Sequence, residues 1–278
     1  MNNILTPTDF SNNAYNALFY ATKLFNKLSC TFHLMNVYDE HTAVLSKSPG
    51  KDLLQQLGEE SMEGLQHSHH RIRLDDGNTD HSFETHSKNG NLVDKISQQI
   101  MKDEIDLVVI GNKGCSEVKA IFFGSNTLKL IDGIKQCAIL TVPKEIDFKP
   151  PMEIAFITDF AQVYDAGMLH PLVVVARQYG SNIRIMHVNE EKVLTRTQEI
   201  NKNILLEYLA PFNSSVHWVP HYKTKAGVIR DFLAELNIDL LAMINYKHGL
   251  LEGILREPVI KRVAYDQDIP FLIIPGTN

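Results

Sequence analysis

Apolar and polar positions follow two distinct rhythms along this chain. Short, continuously apolar runs are typical of buried strands, whereas the longer stretches between them repeat apolar residues with the period of a helix. Ser11 and Asn91 each precede a helical stretch, where a side-chain oxygen can cap the first turn. The predicted strands of the first half are 3–8, 32–38, 81–87, 106–110 and 138–143, and the predicted helices are 12–28, 51–75, 91–104 and 126–134. Strands that alternate with helices predict parallel pairing with right-handed crossovers.

The second half of the chain repeats the pattern of the first. The segments 154–160, 184–190, 237–241 and 269–275 echo 4–10, 33–39, 104–108 and 136–143 in the same order. An internal duplication is the best account of these ordered matches. The segment 144–152 has no apolar periodicity and contains Pro150 and Pro151, which indicates a linker. We therefore predict two domains, at 1–147 and 151–278.

Glycine is concentrated after the predicted strand 106–110. Gly111 and Gly114 stand three apart, and Gly124, Ser125 and Asn126 follow at the start of a predicted helix. Glycine lets the backbone approach a ligand closely or adopt positive φ. A Gly-Ser pair that opens a helix offers free N–H groups and a hydroxyl to an anion, for which a phosphate is the natural guest. The alternative is a glycine-rich loop between strand and helix that binds nothing.

Composition excludes several classes of function. The net charge of −6 implies no basic face, which argues against nucleic acid as a partner. The three cysteines, Cys30, Cys115 and Cys137, form no CxxC pair and predict reduced thiols in a cytoplasmic protein. We see no signal peptide, and no run reaches the roughly 18 apolar residues of a membrane span.

Two segments together resemble the universal stress protein family in a tandem, two-domain arrangement. These are the opening stretch 4–11, with Asp9 at the end of the first predicted strand, and the glycine loop from Gly111 to Ser125. The resemblance implies an α/β fold of two doubly wound, Rossmann-like domains. Each would be a five-stranded parallel sheet of order 3-2-1-4-5 with helices on both faces. In such a sheet a ligand is expected where the strand order reverses, between strands 1 and 4.

The resemblance also implies a nucleotide of the ATP type (ATP, ADP or AMP), with Mg²⁺ as a companion of its phosphates. Asp9 matches the position near the ribose, Pro7 and the backbone of Val37 match the adenine contacts, and the glycine loop matches the phosphate contacts. The alternative for Asp9 is an acid that caps the following helix. The implied nucleotide-binding residues are Pro7, Thr8, Asp9, Val37, Ile110, Gly111, Gly114, Gly124, Ser125 and Asn126.

The second half departs from this pattern at the loop. Aligned from Asp239, it places Ile244 and Lys247 at the positions of the first two loop glycines, and Glu257 and Pro258 at those of the Gly-Ser pair. A β-branched residue resists positive φ, a carboxylate repels phosphate and proline donates no N–H. Asp159, the counterpart of Asp9, remains as a cap or a polar core residue. We therefore predict nucleotide binding in the first domain only.

Other motifs add little chemistry. The tract His67-Ser68-His69-His70, with His81 and His86 nearby, suggests a metal site, but a solvated polar helix end is the favoured interpretation. The chain has no GxxxxGK[ST], GxSxG or HExxH motif, so no catalytic residue is predicted. The predicted function is a stress-response or signalling module. The alternatives are a slow ATP hydrolase or nucleotidyl transferase, or a nucleotide-free scaffold.

The predicted assembly follows from the last strand of each half. We expect 138–142 and 271–274 to pair within one chain as an intramolecular pseudo-dimer, because an unpaired apolar edge invites aggregation. This arrangement still allows a homodimer.

Overall fold

The computed structural model describes residues 1–39, 53–112, 124–144, 146–189, 193–220, 224–246 and 269–276. The chain forms two compact units. Unit 1 contains 1–112 and 124–148, and unit 2 contains the chain from Lys149 onward. Among the described residues, no helix combines the length and apolar character that crossing a bilayer requires.

Unit 1 alternates strands and helices in the predicted order. Its elements are β1 (Asn3–Pro7), α1 (Asn12–Leu24), β2 (Thr31–Tyr38), α2 (Leu53–Asp76), β3 (Ser82–Asn89), α3 (Leu92–Lys102), β4 (Leu107–Asn112), α4 (Ser125–Gly133) and β5 (Ala138–Pro143). The sheet is parallel and runs β3-β2-β1-β4-β5, which confirms the predicted order 3-2-1-4-5. Helix α1 packs beside α2, and α3 packs beside α4.

Unit 2 has the same topology. Its elements among the described residues are β6 (Glu153–Ile157), α5 (Ala166–Tyr179), β7 (Asn182–Asn189), α6 (Arg196–Leu209), β8 (Ser214–Pro220), α7 (Lys225–Glu235), β9 (Leu240–Asn245) and β10 (Phe271–Pro275). Its strands run β8-β7-β6-β9-β10, again in parallel.

The central strands of unit 1 are buried because helices cover both faces of the sheet. Ile4 and Leu5 of β1 and Val108 and Val109 of β4 are completely inaccessible to solvent. This explains why these strands read as continuous apolar runs rather than as alternating patterns. Strand β4 runs two residues beyond its predicted end, because Gly111 and Asn112 continue the pairing with β5.

Helix caps form where the sequence predicts them. The Ser11 hydroxyl accepts a hydrogen bond from the backbone N–H of Ala14 at 3.2 Å, and Asn91 accepts from Val93 at 2.9 Å. Each cap satisfies a backbone donor that the first turn of a helix leaves without an intrahelical partner.

One aspartate in each unit ties the start of the first strand to the start of the fourth. Asp106 Oδ2 accepts the backbone N–H groups of Asn2 and Asn3 at 2.7 and 3.1 Å. Asp239 Oδ2 accepts those of Met152 and Glu153 at 3.0 and 2.9 Å. The echo between 104–108 and 237–241 thus includes a residue with the same hydrogen bonds in both units.

Candidate functional site

Strands β1 and β4 end side by side at the carboxyl edge of the unit 1 sheet. Ile4 pairs with Leu107 and Leu5 with Val108, and this register brings the chain after Pro7 beside Ile110 and Gly111. Strand β2 lies on the far side of β1, and β5 lies on the far side of β4. The strand order therefore reverses between β1 and β4, and a crevice for a ligand is expected there.

A tight turn leads from β1 into α1. Two hydrogen bonds join the turn to β2: the backbone N–H of Thr8 donates to the Met35 carbonyl at 2.9 Å, and the Asn36 side chain donates to the Thr8 carbonyl at 2.7 Å. Within the turn, the Thr8 hydroxyl accepts the Phe10 N–H at 3.0 Å. Phe10 has a φ of 63°, which is uncommon for a residue with a side chain. These bonds to β2 hold the turn that presents Asp9.

Asp9 orients the capping residue rather than capping the helix itself. Its Oδ1 accepts from the backbone N–H and the hydroxyl of Ser11 at 3.1 and 2.5 Å, and Ser11 caps α1. The Asp9 side chain is exposed to solvent. A carboxylate in this position is accessible to a hydroxyl of a ligand at the crevice.

Gly111 lies against the first turn of α1. A Cβ at this position would lie 2.7 Å from both the carbonyl oxygen and the side-chain nitrogen of Asn13. Helix packing therefore gives Gly111 a reason to be glycine that is independent of a ligand. Positive φ is not part of that reason, because Gly111 is not among the glycines with positive φ.

Two side-chain oxygens next to Gly111 are buried and unsatisfied. Within the described part of the chain, Oδ1 of Asn13 and Oδ1 of Asn112 have no hydrogen-bond partner. A buried acceptor without a partner carries a desolvation cost of about 1–3 kcal/mol, which a donor from a ligand or a water can remove. Sequence reasoning missed both residues. Asn112 directly follows an apolar run and Gly111, which was a signal, whereas Asn13 stands among other polar residues and gave none.

Helix α4 begins without a side-chain cap. Its capping residue is Gly124, with φ −58° and ψ 156°, and Ser125 and Asn126 in its first turn are exposed. A right-handed crossover places the start of α4 at the carboxyl edge, because the helix connects the carboxyl end of β4 to the amino end of β5. The N-terminus of such a helix attracts anions through its backbone N–H groups and its dipole.

The structure thus brings most of the sequence-predicted residues to one edge. Pro7, Thr8 and Asp9 lie at the end of β1, Val37 lies half-buried near the end of β2, and Ile110 is buried two residues before the end of β4. The remaining described positions are Gly111 in β4 and Gly124, Ser125 and Asn126 at the start of α4. Gly114 lies outside the described residues.

The corresponding edge of unit 2 has different contacts. Tyr246, which follows β9, donates its phenolic hydrogen to Asp159, the counterpart of Asp9. Ile244 stands where unit 1 has Gly111, and it is only 5% exposed. Lys247, Glu257 and Pro258, on which the predicted loss of the loop also depends, lie outside the described residues.

The turn after β6 is also closed differently from the turn after β1. Helix α5 starts at Ala166, one turn later than the counterpart of Asn12 in unit 1. In the longer turn that results, the hydroxyl oxygens of Tyr164 and Thr158 lie 2.6 Å apart and share a hydrogen bond. Burial raises the pKa of Tyr164, so the phenol stays protonated. Phe160 is completely buried and stacks on His187, with 5.1 Å between the ring centroids. Its counterpart in unit 1, Phe10, is 39% exposed.

Comparisons with known proteins agree with this architecture. The model of the Universal stress protein family matches residues 1–142. No curated protein gives a match to the chain. A universal stress protein from Archaeoglobus fulgidus superposes with a TM-score of 0.71 at 17% identity, over 98% of both chains. A putative universal stress protein from Pseudomonas aeruginosa superposes with a TM-score of 0.59 at 14% identity, over 99% of this chain and 94% of the other. At these identities the two structures are evidence for the fold alone.

Proposed function

Because this chain belongs to the universal stress protein family, we propose that unit 1 binds a nucleotide of the ATP type and serves as a stress-response or signalling module. One observation carries the proposal. Three features lie at the same edge of the sheet, where the strand order reverses. They are the turn that contains Asp9, the contact between Asn13 and Gly111, and the start of α4, which has no side-chain cap. A nucleotide needs acceptors for its ribose and donors for its phosphates, and this edge offers both.

Each part of the nucleotide has a proposed partner among the described residues. The Asp9 carboxylate accepts a ribose hydroxyl, and Pro7, Thr8 and Val37 line the adenine. Ile110 and Gly111 form the floor of the crevice. The N–H groups of Ser125 and Asn126 bind phosphate oxygens, together with the loop that contains Gly114. Mg²⁺ enters with the phosphates, because it keeps several of its waters and rarely occupies an all-protein cage.

We propose that unit 2 does not bind nucleotide. The Tyr246 phenol occupies the Asp159 carboxylate, so a ribose would have to displace an existing hydrogen bond. Unit 2 has a buried isoleucine, Ile244, where unit 1 has Gly111, whose missing side chain lets Asn13 of α1 pack against β4. One domain that binds and one that does not would make the chain a sensor of one ligand per molecule.

The proposal is for binding rather than turnover. Asp9 already accepts two hydrogen bonds from Ser11, so it is committed to orienting the turn and is a poor general base. Incubation of the purified protein with ATP and Mg²⁺ or Mn²⁺ should release no ADP above a protein-free control. Multiple turnovers would favour the alternative of a slow ATP hydrolase.

The binding experiment has two steps. Mass spectrometry of the denatured, freshly purified protein should identify a bound adenine nucleotide, and calorimetry on the stripped protein should give one site per chain. Asp9→Asn keeps the bonds to Ser11 but removes the charge, so affinity should fall about tenfold or more. Asp159→Asn is the matched control and should leave affinity unchanged. A chain that neither retains nor rebinds nucleotide would instead be a scaffold, and two equivalent sites would refute the assignment to unit 1.

We also propose that the last strands, β5 and β10, pair within one chain as a pseudo-dimer. Both strands are apolar, and an apolar strand with one unpaired side exposes backbone donors and acceptors to other chains. Amide hydrogen exchange tests the pairing. Consecutive amides should be protected in both strands, whereas an unpaired strand would exchange at every second residue.

A further inference from the structure

Four metal-binding side chains converge on one face of the unit 1 sheet. His33 lies on β2, Glu84 and His86 lie on β3, and Asp103 is the C-cap of α3. In the strand register His33 pairs with Glu84, and Met35 pairs with His86. Because side chains alternate between faces with a period of two, the first three residues share the face that α3 covers.

This cluster is separate from the proposed nucleotide site. His33 is the third residue of β2 and precedes Val37 by four positions, which is about 13 Å along a strand. Asp103 follows the carboxyl end of α3, and a crossover helix ends at the amino edge of the sheet. The nucleotide site lies at the carboxyl edge, so none of the four residues takes part in it.

The ligand atoms are close together. The distance between His33 Nδ1 and His86 Nε2 is 3.0 Å. His33 Nδ1 lies 3.5 Å from Asp103 Oδ2 and 3.6 Å from Glu84 Oε2. His86 Nε2 lies 3.8 and 3.9 Å from the same two carboxylate oxygens. All four atoms lie within 4.8 Å of one another.

These distances match tetrahedral coordination. Zinc binds imidazole nitrogen and carboxylate oxygen at about 2.0–2.2 Å, which separates two ligands by about 3.3–3.6 Å at the tetrahedral angle. The five separations given above bracket this range. The Glu84 and Asp103 oxygens lie within 4.8 Å of each other and would have to approach by up to about 1 Å. Glu84 has the freedom to make this movement because its side chain is 58% exposed.

The charges around the four side chains favour a cation at this place. Two carboxylates, those of Glu84 and Asp103, lie within 4 Å of both imidazole rings. Lys102 approaches Asp103 at 3.8 Å but is largely exposed, so its contribution is screened by solvent. A divalent cation would balance both carboxylates.

A second layer of contacts orients the ligands. The side-chain amide of Gln99, which is only 2% exposed, lies 3.3 Å from His86 Nδ1 and also bonds Asp103 Oδ2. Contacts such as those of Gln99 fix the orientation of ligands in known metal sites. His33 Nε2 has no such contact among the described residues, where it is buried without a partner.

From this geometry we propose that His33, Glu84, His86 and Asp103 bind one divalent transition-metal ion of the zinc class. Two imidazoles select against Mg²⁺ and Ca²⁺, which prefer oxygen ligands. The other histidines in the described part of unit 1, His67, His69, His70 and His81, lie outside this cluster. His67 and His70 are exposed on α2, and buried His81 is hydrogen-bonded to Asp76 at 2.6 Å.

The test uses the full-length chain after treatment with a chelator. Calorimetry with Zn²⁺ alone should show one tight site per chain, and Co²⁺ alone should give the intense visible absorption of tetrahedral coordination. His86→Gln combined with Asp103→Asn should weaken Zn²⁺ binding by about 100-fold or more, and Gln99→Leu by about 10- to 100-fold. His67→Gln with His70→Gln is the matched control for adventitious binding to surface histidines and should retain the site.

Two further measurements keep the result unambiguous. If the double variant does not fold by circular dichroism, Glu84→Gln replaces it, because this exposed side chain is not needed for the core. Nucleotide affinity should be unchanged in the cluster variants, which separates this proposal from the proposed function. Absence of a tight Zn²⁺ site in the wild type, wild-type affinity in a folded cluster variant, or loss of the site only in the His67/His70 variant would each overturn the proposal.

Discussion

Tyr246 donates its phenolic hydrogen to the carboxylate of Asp159, whereas Asp9, at the same place in unit 1, accepts from Ser11 and remains exposed. The two aspartates follow equivalent strands, 150 residues apart in the chain. In unit 1 the carboxylate is exposed at the edge where the strand order reverses. In unit 2 a residue that follows β9 has bonded it.

Removal of this phenol should not create a second nucleotide site. Tyr246→Phe removes the bond to Asp159 Oδ2 and leaves the bond from the Ala161 N–H to Oδ1, but a buried Ile244 still stands where unit 1 has glycine. Calorimetry should therefore continue to show one site per chain. The variant should lose about 1–3 kcal/mol of unfolding free energy, because the Asp159 carboxylate loses one of its partners. A second binding event in Tyr246→Phe would show that the phenol alone blocks unit 2.

Gly124→Asp should abolish nucleotide binding without harming the fold. The φ and ψ of Gly124 are accessible to any L-residue, and aspartate is a favoured helix cap, so α4 should be as stable or slightly more stable. A carboxylate facing the phosphates in partly desolvated surroundings costs a few kcal/mol, or roughly a hundredfold or more in affinity.

The matched control is Gly124→Asn, which has the same shape and capping ability without the charge. Titration with a fluorescent ATP analogue should show a much smaller loss for this variant, while circular dichroism confirms that both are folded. Equal affinities for the aspartate variant and the wild type would place the nucleotide elsewhere.

Gly111→Ala should destabilise unit 1. The new methyl would lie 2.7 Å from the carbonyl oxygen of Asn13, and this oxygen belongs to the backbone of α1 and cannot rotate away. Overpacking of this kind costs about 1–3 kcal/mol of unfolding free energy, which urea denaturation can measure. Adding Asn13→Ala removes the second close atom, the side-chain nitrogen, but leaves the carbonyl. The double variant should recover only part of the loss, and full recovery would mean that the side chain causes the strain.

The two described cysteines should be unreactive in the folded protein. Burial raises the pKa of Cys30 to about 11 and that of Cys137 to about 12. Because the thiolate is the nucleophile, only about one Cys30 thiol in a thousand is reactive at pH 8. The reaction of iodoacetamide should therefore keep rising with pH up to the point where the protein unfolds. Peptide mapping before and after denaturation in guanidinium checks each thiol separately, and rapid labelling of either one at pH 8 in the folded chain would contradict its burial.

Much of the fold could be predicted from the sequence because its signals are local. Continuous apolar runs marked the central strands, and Ser11 and Asn91 marked the starts of two helices. Parallel order follows from the alternation of strands and helices, and the resemblance to a known family supplied the order 3-2-1-4-5. The end of β4 was missed by two residues, because its last pairs depend on β5 rather than on local pattern.

The candidate nucleotide site was predicted only as a set of positions. Motif spacing identified Asp9 and the loop glycines, but it assigned Gly111 to the ligand, whereas the structure adds a contact with Asn13 that requires glycine. The bond from Tyr246 to Asp159 was not anticipated either. Its two residues are far apart in the chain, and nothing in the pattern around either one indicates the other.

The four side chains of the proposed metal site, His33, Glu84, His86 and Asp103, were not predicted together from the sequence. The sequence by itself determined which residues can be strands, helices and caps, because those preferences depend on neighbours within one or two turns. It directed attention to the tract 67–70, with His81 and His86 nearby, and within that tract His67 and His70 are exposed in the structure. Only the tertiary structure decided that His86 faces His33, because parallel pairing of β2 and β3 sets which side chains meet across the sheet. Long-range register is a property of the folded chain, and local pattern does not encode it.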